Sequence, residues 1–144
     1  ISDAAHVQPE GGRTGAAVPD EGDRPVFATL VSSGRAADGF GTPTGSFRIR
    51  TKHVSATMDD PDGGAEAYSI EDVPWTMYFD GARALHGAYW RTRFGYPQSH
   101  GCVNLSTGDS HWLFNWAVEG DWVYVHDPTG LTPTDPSLYS DYAY

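Results

Sequence analysis

The chain has 144 residues, 19 of them acidic and 9 basic, for a formal net charge of −10. That length fits one domain with one real core, and the acid excess argues against nucleic acid or an anionic lipid surface as partner. No stretch approaches the ~20 apolar residues of a membrane span, and a single cysteine, Cys102, excludes an intramolecular disulfide.

Residues 1–24 are polar and rich in Gly, Pro and charge, and they read as a flexible arm or linker. The chain opens at Ile1 without a leader pattern, as in a processed form or an excised fragment. From Pro25, "PVFATLVSSG" predicts a short apolar strand closed by a Ser-Ser-Gly turn. "GTPTGSF" follows, and "SFRIRTKHVSATM" alternates as a strand pair does. The segment "DDPDGGAEAYSIED" packs six carboxylates and two glycines into fourteen residues, the composition of a solvated loop. "VPWTMYFD" and "ARALHGAYW" predict two strands joined at Asp80-Gly81, with His86 near the end of the second. "LSTGDSHWLFNWAVEG" predicts a helix, with Ser106 and Asp109 as a capping box and Gly120 as the stop. Trp112, Leu113, Trp116 and Ala117 recur at helical spacing as a core face. "DWVYVHD" is a last strand, and residues 128–144 form a Pro- and Tyr-rich tail. Several short strands with one helix make a mainly β domain.

Cys102 lies in "YPQSHGCVNL", among turn formers rather than inside an apolar run. Three readings are open there. A buried, inert thiol is the ordinary fate of a lone cysteine. His86, His100 and Cys102 offer nitrogen and sulfur to a metal, without a C-x-x-C pair or a fourth ligand. A nucleophile needs a base, because a thiol of pKa near ~8.5 is mostly protonated at neutral pH. His86, 16 positions upstream, is the natural base. The amides of Gly101 and Cys102 would form an oxyanion hole if the loop turns there.

"HGAYWRTRFGYPQSHGCVN" resembles the signature of the L,D-transpeptidase catalytic domain (YkuD-type), a histidine followed at a distance by Ser/Thr-His-Gly-Cys. "GTPTGSFRI" resembles the upstream Thr-Pro-x-Gly-x-Phe element, and "LFNWAVEGDWVYVHD" the closing helix and strand. The resemblance spans roughly residues 25–127 and implies a β-sandwich of short mixed strands, with one main helix after the cysteine loop. It implies Cys102 as nucleophile, His86 as base and the Gly87 carbonyl as orienter of the imidazole. His100, Ser99, Asn104 and Gly101 would shape the loop and contact substrate, with Tyr78, Trp90 and Tyr96 as cleft walls. The implied chemistry is ping-pong acyl transfer between peptidoglycan stem peptides, giving 3→3 links in the bacterial envelope of an exported protein, without metal or organic cofactor. Water as acceptor would make it an L,D-carboxypeptidase. The opening strand pair of such domains is not recognisable in residues 1–24. This leaves an idle assembly module with the same fold as an alternative, and an edge at "PVFATLV" open to self-association.

Overall fold

The alternation Trp-Val-Tyr-Val at Trp122–Val125 buries both valines and half-exposes both aromatic rings, the pattern of a strand with one core face. In the computed structural model, which describes residues 4–8, 15–22, 24–59 and 68–126, this strand is the hub of a sheet. In chain order the elements are β1 (Ala4–Gln8), β2 (Ala16–Glu21), β3 (Arg24–Pro25), β4 (Thr29–Leu30), β5 (Gly45–Arg48), β6 (Thr51–Asp59), β7 (Ser69–Asp80), β8 (Arg83–Gly87), β9 (Val103–Leu105), α1 (Thr107–Trp116) and β10 (Trp122–Val125). The first sheet runs β3-β2-β1-β10-β5, with β4 also on β2; the second runs β6-β7-β8-β9. Val7, Ala17, Phe47, Val123 and Val125 of the first sheet meet Met77, Phe79, Leu85, Val103 and Leu105 of the second, together with Leu113 of the helix. The rings of Phe47 and Phe79 pack edge to face at 5.4 Å across this core. The mainly β expectation with one helix holds. Among the described residues no helix is long and apolar enough to cross a membrane.

The unpatterned arm is corrected. β1 pairs in parallel with β10, Ala5 against Val123 and Val7 against Val125, and antiparallel with β2. Their buried residues are Ala5, Val7, Ala17 and Pro19. Two alanines, a valine and a proline leave almost no apolar alternation to detect. These strands form because β10 offers a hydrophobic partner, an instance of strand propensity set by neighbours rather than by the segment. The strand expected at 25–31 is broken into β3 and β4, both on β2. "SFRIRTKHVSATM" does give two strands, but they do not pair. β5 joins β10 in the first sheet and β6 joins β7 in the second.

Ser106 caps α1 by accepting from the Asp109 amide at 3.2 Å. The Asp109 carboxylate accepts instead from the Thr29 hydroxyl at 2.5 Å, so only half of the capping box forms. The helix ends at Trp116, short of Gly120. Lys52 ends it by donating to the carbonyls of Phe114 and Ala117, a cation at the negative end of the helix dipole. Gly120, at φ +94, turns the chain into β10. The buried helix face is Ser110, Leu113 and the following Ala117. Trp112 is 37% exposed and stacks on Phe27 at 4.3 Å, so it does not belong to the core face. Trp116 lies at the core margin, its Nε1 donating to Glu21. The tail 128–144 and most of the acidic segment lie outside the described residues.

Candidate active site

The site forms where β8 and β9 run in parallel, with Leu85 opposite Val103 and His86 opposite Asn104. A parallel pair needs a crossover, here residues 88–102, and this crossover delivers Cys102 one residue before β9. Leu85, Val103 and Leu105 anchor both strands in the core, so the residues between them are placed by the pleat. A cavity of about 240 Å³ opens there, lined by Met58, Tyr68, Ile70, His86, Trp90, Arg91, Ser99, His100, Cys102 and Asn104.

His86 is 2% exposed, and its Nδ1 donates to the Gly87 carbonyl at 2.9 Å. That bond fixes the tautomer and leaves Nε2 as the basic nitrogen. Burial lowers its pKa to about 4, with the Gly87 carbonyl opposing and the Arg91 charge assisting. Gly87 has no room for a side chain: a Cβ would meet Ser110 Oγ at 2.6 Å and Pro74 Cγ at 3.0 Å. Cys102 is 8% exposed and directs Sγ to the Ala82 carbonyl at 3.6 Å. Burial pushes the thiol up to about 11, against the Ala84 amide and the Arg83 charge. At neutral pH both thiol and imidazole are therefore uncharged.

The loop around the cysteine is bolted from two sides. Ser99 Oγ donates to the Cys102 carbonyl and accepts from the Gly101 amide. The Gly101 N–H is thus engaged by Ser99, which differs from its expected place as an oxyanion donor. From the other side, Thr42 donates to the Gly101 carbonyl at 2.7 Å and accepts from the Gly34 amide at 3.0 Å. A Cβ on Gly34 would fall 2.9 Å from the Gly101 Cα and 1.9 Å from the Phe40 carbonyl oxygen. Hence both "SSG" and "GTPTG" close on the cysteine loop. His100 sits between the rings of Phe40 and Tyr68, at 4.5 and 4.8 Å, with Arg35 Nη2 at 3.3 Å. Asn104 exchanges backbone hydrogen bonds with Ser32, and its Nδ2 is buried without a hydrogen-bond partner among the described residues.

Trp90 lines the cavity with its ring 5.9 Å from that of His86. Tyr78 is not among the residues lining the cavity and packs instead against the cluster of Met58, Val73, Ala84 and Cys102. Burial, and secondly the nearby Cys102 charge, raises its phenol. Tyr96 lies elsewhere, in an open cleft of about 730 Å³ with Thr29, Arg93 and Asp109. Sequence reasoning missed Met58, Tyr68 and Ile70, which arrive from the β6–β7 hairpin, and Arg91, which clamps the crossover through Gln98. The aromatic and apolar residues flanking the acidic segment were the only signal for the first three. Among the described residues no group of three or more His, Cys, Asp or Glu is arranged to hold a metal ion.

Fold and site together define a mainly β domain in which one thiol and two imidazoles, those of His86 and His100, line a cavity beside a parallel strand pair. Residues 10–125 match the L,D-transpeptidase catalytic domain (YkuD), and the chain belongs to that family. It is 31% identical over 99 residues to probable L,D-transpeptidase 3 of Mycobacterium tuberculosis, covering 60% of this chain and 34% of that protein. A solved L,D-transpeptidase from Mycobacterium smegmatis superposes with a TM-score of 0.73 at 22% identity, covering 87% of this chain and 58% of that one. An L,D-transpeptidase solved in complex with imipenem superposes with a TM-score of 0.72 at 23% identity, covering 86% and 59%. The chain thus spans about a third of the curated relative's length.

Proposed function

We propose that this chain is the acyltransferase domain of an L,D-transpeptidase that forms 3→3 peptidoglycan cross-links through a Cys102 thioester. The observation that carries the reading is the shared cavity. His86, its Nδ1 tied to Gly87, lines the same space as the Cys102 thiol. With both groups neutral at rest, the proton moves only as the bond forms. Cys102 Sγ attacks the carbonyl carbon of the third residue of a tetrapeptide stem while His86 Nε2 takes the thiol proton. The tetrahedral oxyanion is met by the Cys102 amide. The C–N bond to the terminal D-alanine breaks, and the His86 imidazolium protonates the departing amine. The side-chain amine of a second stem then attacks the thioester, His86 accepts a proton from that amine, and the thiol leaves reprotonated. Water in place of the amine gives the carboxypeptidase reaction.

Ser99 and Thr42 act by holding the loop, and Trp90, Tyr68 and Met58 by enclosing the acyl group. The substrate class places the protein in the bacterial envelope, with stem peptides as partners. The idle-module alternative drew on unrecognised opening strands and on the free tails; β1 and β2, paired with each other and with β10, support the enzyme reading on the first of these. The test is intact-mass measurement after incubation with imipenem. One adduct on the protein and none on Cys102→Ala is the expected result. Folded protein that stays unmodified and also leaves a tetrapeptide intact would sink the reading. Tetrapeptide turnover with and without an amine acceptor separates transfer from hydrolysis.

A further inference from the structure

We propose that Arg83 is a positioning residue that eases ionisation of Cys102: its side chain lies against Gly101 of the cysteine loop, where its charge opposes the effect of burial, and Asp80 moderates it. The inference rests on Cys102 being the nucleophile proposed above. Arg83 opens β8 between Ala82 and Ala84, and the backbone of these two neighbours holds the sulfur. The Ala82 carbonyl faces Sγ at 3.6 Å, and the Ala84 amide supports the ionised sulfur. The Arg83 side chain runs over Gly101, the residue before the cysteine. A Cβ on Gly101 would meet Arg83 Nε at 3.0 Å and Cδ and Cγ at 3.5 Å each. Glycine is therefore required there for the contact as well as for its φ of +127. Among the described residues Arg83 Nε is buried with no hydrogen-bond partner and Nη1 pairs with one carboxylate, Asp80 Oδ2 at 2.9 Å. The cation thus sits against the residue that precedes the thiol.

The other groups around the sulfur do not supply that charge. His86 on β8 is neutral in its burial, and Arg91 further disfavours its protonated form. Tyr78 on β7 is a neutral phenol whose own ionisation would oppose that of Cys102. Met58 of β6 and Val73 of β7 are apolar. His100 and Arg91 come from the crossover, His100 held by Arg35 and Arg91 by Gln98. Arg35 is itself paired with Asp38. Burial disfavours the thiolate, and Arg83 is the cation that acts against burial.

The experiment is iodoacetamide alkylation of Cys102 in the full chain, followed by intact mass from about pH 6 to pH 10. The proteins are wild type, Arg83→Gln, Arg83→Lys and Asp80→Asn, each checked for fold by circular dichroism. Arg83→Gln is expected to slow labelling at about pH 8 by roughly three- to tenfold and to move its rise to higher pH. Arg83→Lys recovers most of the rate, and Asp80→Asn moves the rise to lower pH. A folded Arg83→Gln whose profile superposes on wild type overturns the proposal. Equal slowing in the Gln and Lys variants overturns it too, because it assigns the effect to packing on Gly101. Should Arg83→Gln not fold, Asp80→Asn decides alone: no displacement, or one to higher pH, refutes. Alkylation needs no acyl transfer, so loss of imipenem acylation in wild type sinks the functional reading and leaves this profile to be judged separately.

Discussion

Replacing Thr42 by valine keeps the side-chain volume and removes one hydroxyl, and the structure says where the cost falls. Thr42 is 2% exposed, and its Oγ1 bridges the Gly34 amide at 3.0 Å and the Gly101 carbonyl at 2.7 Å. Valine leaves both backbone groups unpaired, and both of these glycines are buried. An orphaned buried donor or acceptor costs about 1–3 kcal/mol, so the pair together costs about 2–6 kcal/mol. For a domain whose total stability is about 5–15 kcal/mol, that loss is large. Urea unfolding followed by tryptophan fluorescence measures it. Thr42→Ser, which keeps the hydroxyl and loses one methyl, should fall by only about 1 kcal/mol. Because the freed carbonyl belongs to Gly101, imipenem acylation of the valine variant should also slow while the serine variant stays close to wild type. A valine variant within about 0.5 kcal/mol of wild type, or a serine variant equally unstable, would refute the bridge as the holder of the loop.

Three further outcomes follow from the same contacts. His86 is held near a pKa of about 4 in the fold, below its unfolded value, so the unfolded chain takes up the proton first as pH falls. Its contribution to stability is complete above about pH 6.5 and is lost as pH drops towards 4, on the order of 3 kcal/mol in all; His86→Gln should flatten the acid limb of stability against pH, and parallel limbs would contradict the assignment. Lys52→Met leaves the Phe114 and Ala117 carbonyls without their cation and should cost about 1–2 kcal/mol, lessened by half-exposure, with earlier helix fraying in hydrogen exchange; unchanged protection at residues 113–117 would count against it. Gly34→Ala drives a methyl to 1.9 Å from the Phe40 carbonyl oxygen and should destabilise the fold by more than about 2 kcal/mol, measured by thermal unfolding; a neutral result would mean that the backbone there shifts freely.

The helix start was legible because capping is local: Ser106 and Asp109 are three apart and the bond joins them directly. Its stop was not, because the group that ends the helix is Lys52 of β6, 62 to 65 positions away along the chain. The β7–β8 hairpin was legible from its turn, whereas β1 and β2 were hidden by their small inward residues. The site shows the same division. Cys102, His86 and the "GTPTG" element were readable as a pattern, while Met58, Tyr68, Arg83 and Arg91 were not, since their positions follow from the strand pairings and the crossover rather than from spacing.

The sequence by itself determined the family, the mainly β class and the candidate residues of the site, because motifs, turns and caps depend on neighbours along the chain. Only the tertiary structure decided that the opening segment is sheet. It likewise decided that Thr42 and Gly34 close on the cysteine loop, and that the thiol faces the Ala82 carbonyl while Arg83 runs beside Gly101. Those contacts join residues tens of positions apart. Burial, and with it the lowered pKa of His86 and the raised pKa of Cys102, exists only once the two sheets have come together.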